Sequence, residues 1–145
     1  MVIAVDTSFL FSLFGNDQNT VKAVGWLKGC DDFLQVTVLN LFELENAFHL
    51  AAFKDFYSPD HIHRFKTCYE AALANGHLVL MPVDLHEVIQ RARHLSQEYS
   101  TRGGHRSFDV LHIAAGASLG AGTFLTFDNN QIKLAQAVGL ECPLY

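Results

Sequence analysis

The stretch VIAVDTSFL, residues 2–10, decides the fold. Val2 to Val5 form a short apolar run rich in β-branched residues, and Asp6, Thr7 and Ser8 follow as residues suited to opening a helix. A buried strand running straight into a helix is predicted. The stretch FLTFDNN, residues 124–130, repeats the arrangement, with Thr123 to Phe127 as a buried strand and Asn129 to Val138 as a helix closed by Gly139. Asp6 and Asp128 thus stand at the carboxyl ends of strands. In an open parallel sheet flanked by helices, ligands bind in the crevice outside those ends.

Apolar runs at 33–38 and 78–83 read as two further strands, and the segments between the four runs carry helical periodicity. Gly29, Gly76, Gly120 with Gly122, and Gly139 follow helical stretches, where a residue with positive φ commonly ends a helix. The alternation predicts an α/β fold, a three-layer α-β-α sandwich with a central parallel sheet. Leu41, Leu44, Phe48 and Ala51 or Ala52 share one face of a helix over Leu39 to Phe53, with Glu43 off that stripe, one turn in. A second helix after Ser58-Pro59 carries Phe65, Cys68, Tyr69 and Ala72, so that a helical hairpin spans about 39–74. Some of Phe42, Phe53, Phe56, Tyr57 and Phe65 are expected at a surface, where a contiguous patch would mark a partner interface. Ser100 to Ser107, with Gly103-Gly104 at its centre, is expected to be flexible and leads directly into Asp109.

At 145 residues and 50% apolar composition, one domain over 1–145 with a substantial core is expected. No apolar run approaches the ~18 residues that would span a bilayer, and the first residues enter a strand with no basic leader, so a soluble cytoplasmic protein with no membrane partner is expected. Cys30, Cys68 and Cys142 are odd in number and widely spaced, which fits small core residues in a reducing compartment. The formal charge of −5 argues against nucleic acid at first sight. Setting Asp6, Glu43, Asp109 and Asp128 aside leaves 11 acidic against 10 basic residues, and Arg91, Arg93, Arg102 and Arg106 cluster against the single Glu98 between 91 and 106.

Glu43 in NLFELENAF and Asp109 in RSFDVLHIAAG sit early in predicted helices that begin near the same sheet edge as Asp6 and Asp128. Two carboxylates about 5 Å apart repel by roughly 3 kcal/mol at an effective dielectric near 20. Four together call for a cation, and hard oxygen ligands suit Mg²⁺ or Mn²⁺. Zinc is disfavoured, because no cysteine or histidine pair has ligand spacing. Such a site suits phosphodiester hydrolysis, in which metal ions activate water and neutralise charge on the phosphoryl and departing oxygens. Asp6 takes the central metal-ligand and catalytic role, Asp109 joins it, and Glu43 and Asp128 complete the pocket, one of them orienting the attacking water. Thr7, Ser8 and Thr126 are candidates for steering those carboxylates. Arg102, His105 and Arg106 are candidates for contact with nucleic-acid phosphates, Arg106 by a bidentate pair. His112, three residues after Asp109, is expected to be a hydrogen-bonded structural histidine.

With VIAVDTSFL, TVLNLFELENAF and RSFDVLHIAAGASLGAGTFLTFDNNQIKLAQAVGL in hand, the chain resembles a PIN-domain protein from end to end, and most closely the VapC-type toxin ribonucleases of toxin–antitoxin pairs. The resemblance places Asp6, Glu43, Asp109 and Asp128 at the four acidic positions. It implies a Mg²⁺ or Mn²⁺ pocket, endonucleolytic RNA cleavage, a homodimer, and a cognate antitoxin covering the pocket and the hairpin. Two departures stand out. Asn129 and Asn130 occupy places where some relatives carry a further acid, and Glu45 is an alternative to Glu43, on a different helix face. A haloacid-dehalogenase phosphatase would need an acid where Ser8 stands, and a receiver domain would need paired acids and a late lysine. The competing readings are a PIN nuclease of RNA processing and a catalytically silent RNA-binding scaffold.

Overall fold

The computed structural model describes residues 1–144. Strands β1 (Ile3–Val5), β2 (Leu34–Val36), β3 (Leu78–Leu80) and β4 (Thr123–Leu125) form one sheet in the order β3-β2-β1-β4. Every pairing is parallel, with Ile3 opposite both Leu34 and Thr123. From β1 the chain builds the sheet first towards β2 and β3, then crosses to place β4 on the other flank. The strand order therefore reverses at β1 and β4, which is where an open parallel sheet forms its crevice.

The helices are α1 (Thr7–Phe14), α2 (Thr20–Lys28), α3 (Val38–Phe53), α4 (Pro59–Ala74), α5 (Leu85–Leu95), α6 (Thr101–Gly103), α7 (Ser107–Ser118) and α8 (Asn129–Ala137). Side chains alternate across a strand, so β1 feeds two cores. Ile3 and Val5 pack with Phe9, Leu10, Leu44, Phe48 and Tyr69 beneath α1 to α4. Ala4 packs with Val88, Ile113, Phe124 and Ile132 beneath α5, α7 and α8. The result is the expected three-layer sandwich. On the second face α7 comes very close to the sheet, because Gly116 has no side chain and a Cβ there would stand 3.0 Å from that of Ala4.

The hairpin of α3 and α4 forms as expected, with Leu44, Phe48 and Ala51 buried, and with Ser58 capping α4 through the His61 amide. Its link turns at Asp55, whose φ is +57°. Phe42, Phe53 and Phe56 stay 62%, 82% and 70% exposed. Tyr57 and Phe65 are half-buried, packed edge to face at 5.0 Å between centroids.

Several expectations are corrected. Cys68 points to solvent and Cys30 is half-buried, which leaves only Cys142 as a core cysteine. Gly29 closes α2 with an ordinary φ of −95°, whereas Gly76, Gly120 and Gly139 do adopt positive φ. The run after α5 continues through a π-helical turn, Ser96–Ser100, and α6, and Gly104 at φ +63° is the point where the chain breaks towards α7. Among the described residues no helix is long and apolar enough to cross a membrane.

Candidate active site

Asp6 follows β1 directly and continues its ladder, its amide donating to the Leu125 carbonyl at 3.0 Å. The same residue is the N-cap of α1, with Oδ1 accepting from the Phe9 amide at 2.8 Å. Thr126 donates to its Oδ2 at 2.6 Å, and the Ser8 hydroxyl lies within 2.8 Å of both oxygens. Only 3% of Asp6 is exposed. Burial pushes its carboxyl up to about 6 even though the hydrogen bonds from Thr126, the Phe9 amide and Ser8 pull the other way.

Asp128 repeats the design at the end of β4. It caps α8, with Oδ1 accepting from the Asn130 and Gln131 amides at 2.8 and 3.0 Å, which leaves Oδ2 turned outward. Thr126 joins the two strand ends, because its hydroxyl also accepts from the Asp128 amide at 3.0 Å. Asp109 lies in the first turn of α7, half-buried, and burial raises its carboxyl against the pull of Arg106. Glu43 projects from the second turn of α3. Burial opposes its ionisation, but hydrogen bonds to His112 and Thr7 and the charge of Arg106 outweigh this and hold its carboxyl below the ordinary range.

All four acids line one open cavity of about 690 Å³, with Thr7, Ser8 and Arg106 also on its wall. Glu45 is absent from that wall and instead accepts from the Tyr69 hydroxyl in the hairpin. Arg106 reaches across the gap, its Nε donating to Asp109 Oδ2 at 3.1 Å and its Nη2 to Asp128 Oδ2 at 3.4 Å. Arg102 is exposed on α6 and His105 folds over Gly103 with a buried, unpartnered Nδ1, and neither lines the cavity.

Among the described residues no three Asp, Glu, His or Cys side chains form a closed metal cage. The donor chemistry nevertheless fits a hard divalent cation. The set is all carboxylate oxygen, its innermost member is a desolvated acid, and a guanidinium already stands in as the cation between two of the others.

Three parts of the site escape sequence reading. Asn40 is buried in the first turn of α3, Gln131 is buried in α8 with Nε2 donating to the Asp109 carbonyl at 3.3 Å, and Asp17 and Asn19 form a far wall of the cavity. Polar residues at core positions of amphipathic helices were the available signal for the two amides. His112 is buried and hydrogen-bonded, as expected of a structural histidine.

The match to the PIN domain family runs over residues 3–137. No curated protein matches the sequence. Solved structures share its fold, and three of them align over 98% of the chain. VapBC2 from Rickettsia felis, bound to a DNA fragment from their promoter, aligns at a TM-score of 0.65 with 12% identity over 98% of that chain. FitAcB from Neisseria gonorrhoeae aligns at 0.61 with 16% identity over 96% of that chain. PAE2754 from Pyrobaculum aerophilum aligns at 0.56 with 16% identity over 89% of that chain. With its sheet order, its acid-lined crevice and a family match over nearly its whole length, the chain belongs to the PIN domain family.

Proposed function

We propose that this protein is a Mg²⁺- or Mn²⁺-dependent endoribonuclease and the toxin of a type II toxin–antitoxin pair. The observation that carries the reading is the meeting of four carboxylates from four separate segments around one cavity, with the innermost one buried. The family match and the likeness to VapBC2 and FitAcB support it.

Asp6 and Asp109 would hold the metal, with Glu43 and Asp128 completing the site. A bound divalent ion supplies a more acidic water and charge neutralisation at phosphorus. The chain's own groups do the rest. Glu43 or Asp128 takes the proton from the attacking water as the new O–P bond forms, and the ribose oxygen leaves with its bonding pair and takes a proton from solvent water in the open cavity. Arg106, 77% exposed at its side chain, leaves the carboxylates to pair with a substrate phosphate, while Arg102 and His105 contact RNA farther along. The exposed Phe42, Phe53 and Phe56 on and after α3 offer an antitoxin an apolar landing surface, and Leu85 and Ile89, one turn apart on α5, offer one to a second copy of the chain.

The test is cleavage of a mixed set of structured and single-stranded RNAs by purified protein, with Mn²⁺, Mg²⁺ or chelator, beside an Asp6→Asn, Asp109→Asn double variant. Metal-dependent cutting by the wild type alone is expected, and equal cutting by both proteins would overturn the reading. Growth arrest on induced expression, relieved by Asp6→Asn, is the expected mark of a toxin. Cutting in vitro with normal growth would point to RNA processing instead.

A further inference from the structure

Asn40 stands where three acid-bearing segments meet. Its Oδ1 accepts from the Thr37 amide at 2.9 Å, which closes the capping box of α3. Its Nδ2 donates to the Val5 carbonyl at 3.1 Å, in the peptide that leads into Asp6, and lies 3.4 Å from His112 Nδ1 on α7. The other ring nitrogen, His112 Nε2, lies 3.0 Å from Glu43 Oε1 and 3.2 Å from Thr7 Oγ1. Both Asn40 and His112 are buried.

The orientation of the Asn40 amide is forced. Turned over, it would set its NH₂ against the Thr37 amide and its oxygen against the Val5 carbonyl, opposing like with like in a site closed to water. The forced orientation presents a donor to His112 Nδ1, so Nδ1 is an acceptor and the neutral ring carries its proton on Nε2. That proton points at Glu43. We infer that Asn40 and His112 are positioning residues that lock the His112 tautomer, aim the Glu43 carboxylate into the cavity, and hold it in register with the ends of β1 and α7. A ring buried only for packing would need no such chain of donors and acceptors. The metal-ligand histidine pattern does not apply either, because both ring nitrogens are engaged inside the protein and neither faces the cavity. The kinetic side of this inference rests on the nuclease reading, while the tautomer does not.

Two measurements test it. Long-range ¹H–¹⁵N spectra of histidine-labelled, metal-free protein, assigned by loss of the His112 signals in His112→Gln, should show a bare Nδ1 and a protonated Nε2. A proton on Nδ1 would overturn the inference whether or not the protein cuts RNA. A double-mutant cycle in cleavage at saturating metal is the second measurement. His112→Leu should lower turnover by roughly 10–100-fold, the usual effect of removing a partner that orients a ligand. It should add almost nothing in a Glu43→Gln background, and His112→Gln, which keeps an N–H near the Nε2 position, should recover part of the loss. A full second loss in the Glu43→Gln background would overturn the positioning role. Melting curves on each variant separate these effects from failure to fold. Absence of cutting by the wild type would sink the nuclease reading and leave the spectra to decide the tautomer.

Discussion

Arg106 and Asp109 are joined by a 3.1 Å ion pair within one helical turn, and the same guanidinium spans to Asp128 at 3.4 Å. A side chain proposed to meet phosphate thus rests on two of the carboxylates proposed to meet metal. The two cations compete for the same oxygens.

Removing the competitor should tighten metal binding. Each of the two pairs is solvent-screened and contributes about 0.2–1 kcal/mol, so Arg106→Gln should raise Mn²⁺ affinity by about 2–30-fold in calorimetric titration. The same variant should raise KM for RNA. Weaker Mn²⁺ binding would mean that Arg106 organises the acids and does not compete for them.

The carboxyl of Asp6 is raised from 3.8 to about 6 by burial, so the folded chain keeps a proton there that the unfolded chain has lost. Stability therefore falls as pH rises from about 4 to about 6, by up to ~3 kcal/mol for a shift of two units. The neutral Asp6→Asn escapes this loss. Its Tm without metal should match the wild type near pH 4 and exceed it by about 5–10 °C at pH 7.5, with the gap narrowing when Mn²⁺ is added. A variant less stable than wild type at pH 7.5 would show that the hydrogen bonds of Asp6 outweigh its desolvation.

Thr126 is fully buried, donates to Asp6 and accepts from the Asp128 amide. Thr126→Val keeps the shape and removes both bonds, which should lower stability by about 1–3 kcal/mol in urea unfolding. Since the lost hydroxyl favours the ionised acid, the acid limb of the pH–rate profile should move to higher pH. An unmoved limb would mean that Asp6 does not set it.

Gly116 lets α7 lie against β1. Gly116→Val would force side-chain carbon into a gap that already places a Cβ 3.0 Å from Ala4, and should lower stability by about 1–3 kcal/mol. Activity measured well below the Tm should fall as well, because Asp109 and His112 ride on the displaced helix. Lost stability with unchanged turnover would show that the start of α7 is held from the Asn40 side instead.

The acids at strand ends were legible because the local sequence states them. Asp6 and Asp128 each follow a β-branched or aromatic run and open a helix, Asp6 capping α1 directly after β1 and Asp128 capping α8 three residues beyond Leu125, the end of β4. Glu43 needed the helical period alone to separate it from Glu45, which faces Tyr69. Asn40, Gln131 and the bridging of Arg106 depend on partners 22 to 72 residues away, a distance over which periodicity carries no information. Cys68 lies on α4 next to Tyr69 in sequence, yet the helix turns it to solvent, because the buried stripe runs through Ile62, Tyr69 and Ala72. The stretch before Asp109 is rich in glycine, yet helical geometry runs on from α5 through Gly103.

Because β1 is the first strand to be synthesised and β4 the last, one flank of the central strand stays open until residues 123–125 arrive. A nascent or prematurely terminated chain therefore has an unpaired inner edge, a template for mispairing with other chains. It also lacks Asp128. The strand that closes the sheet and the acid that completes the set of four carboxylates thus arrive together, so the geometry of the site and the pairing of the central strand are completed in the same step of synthesis.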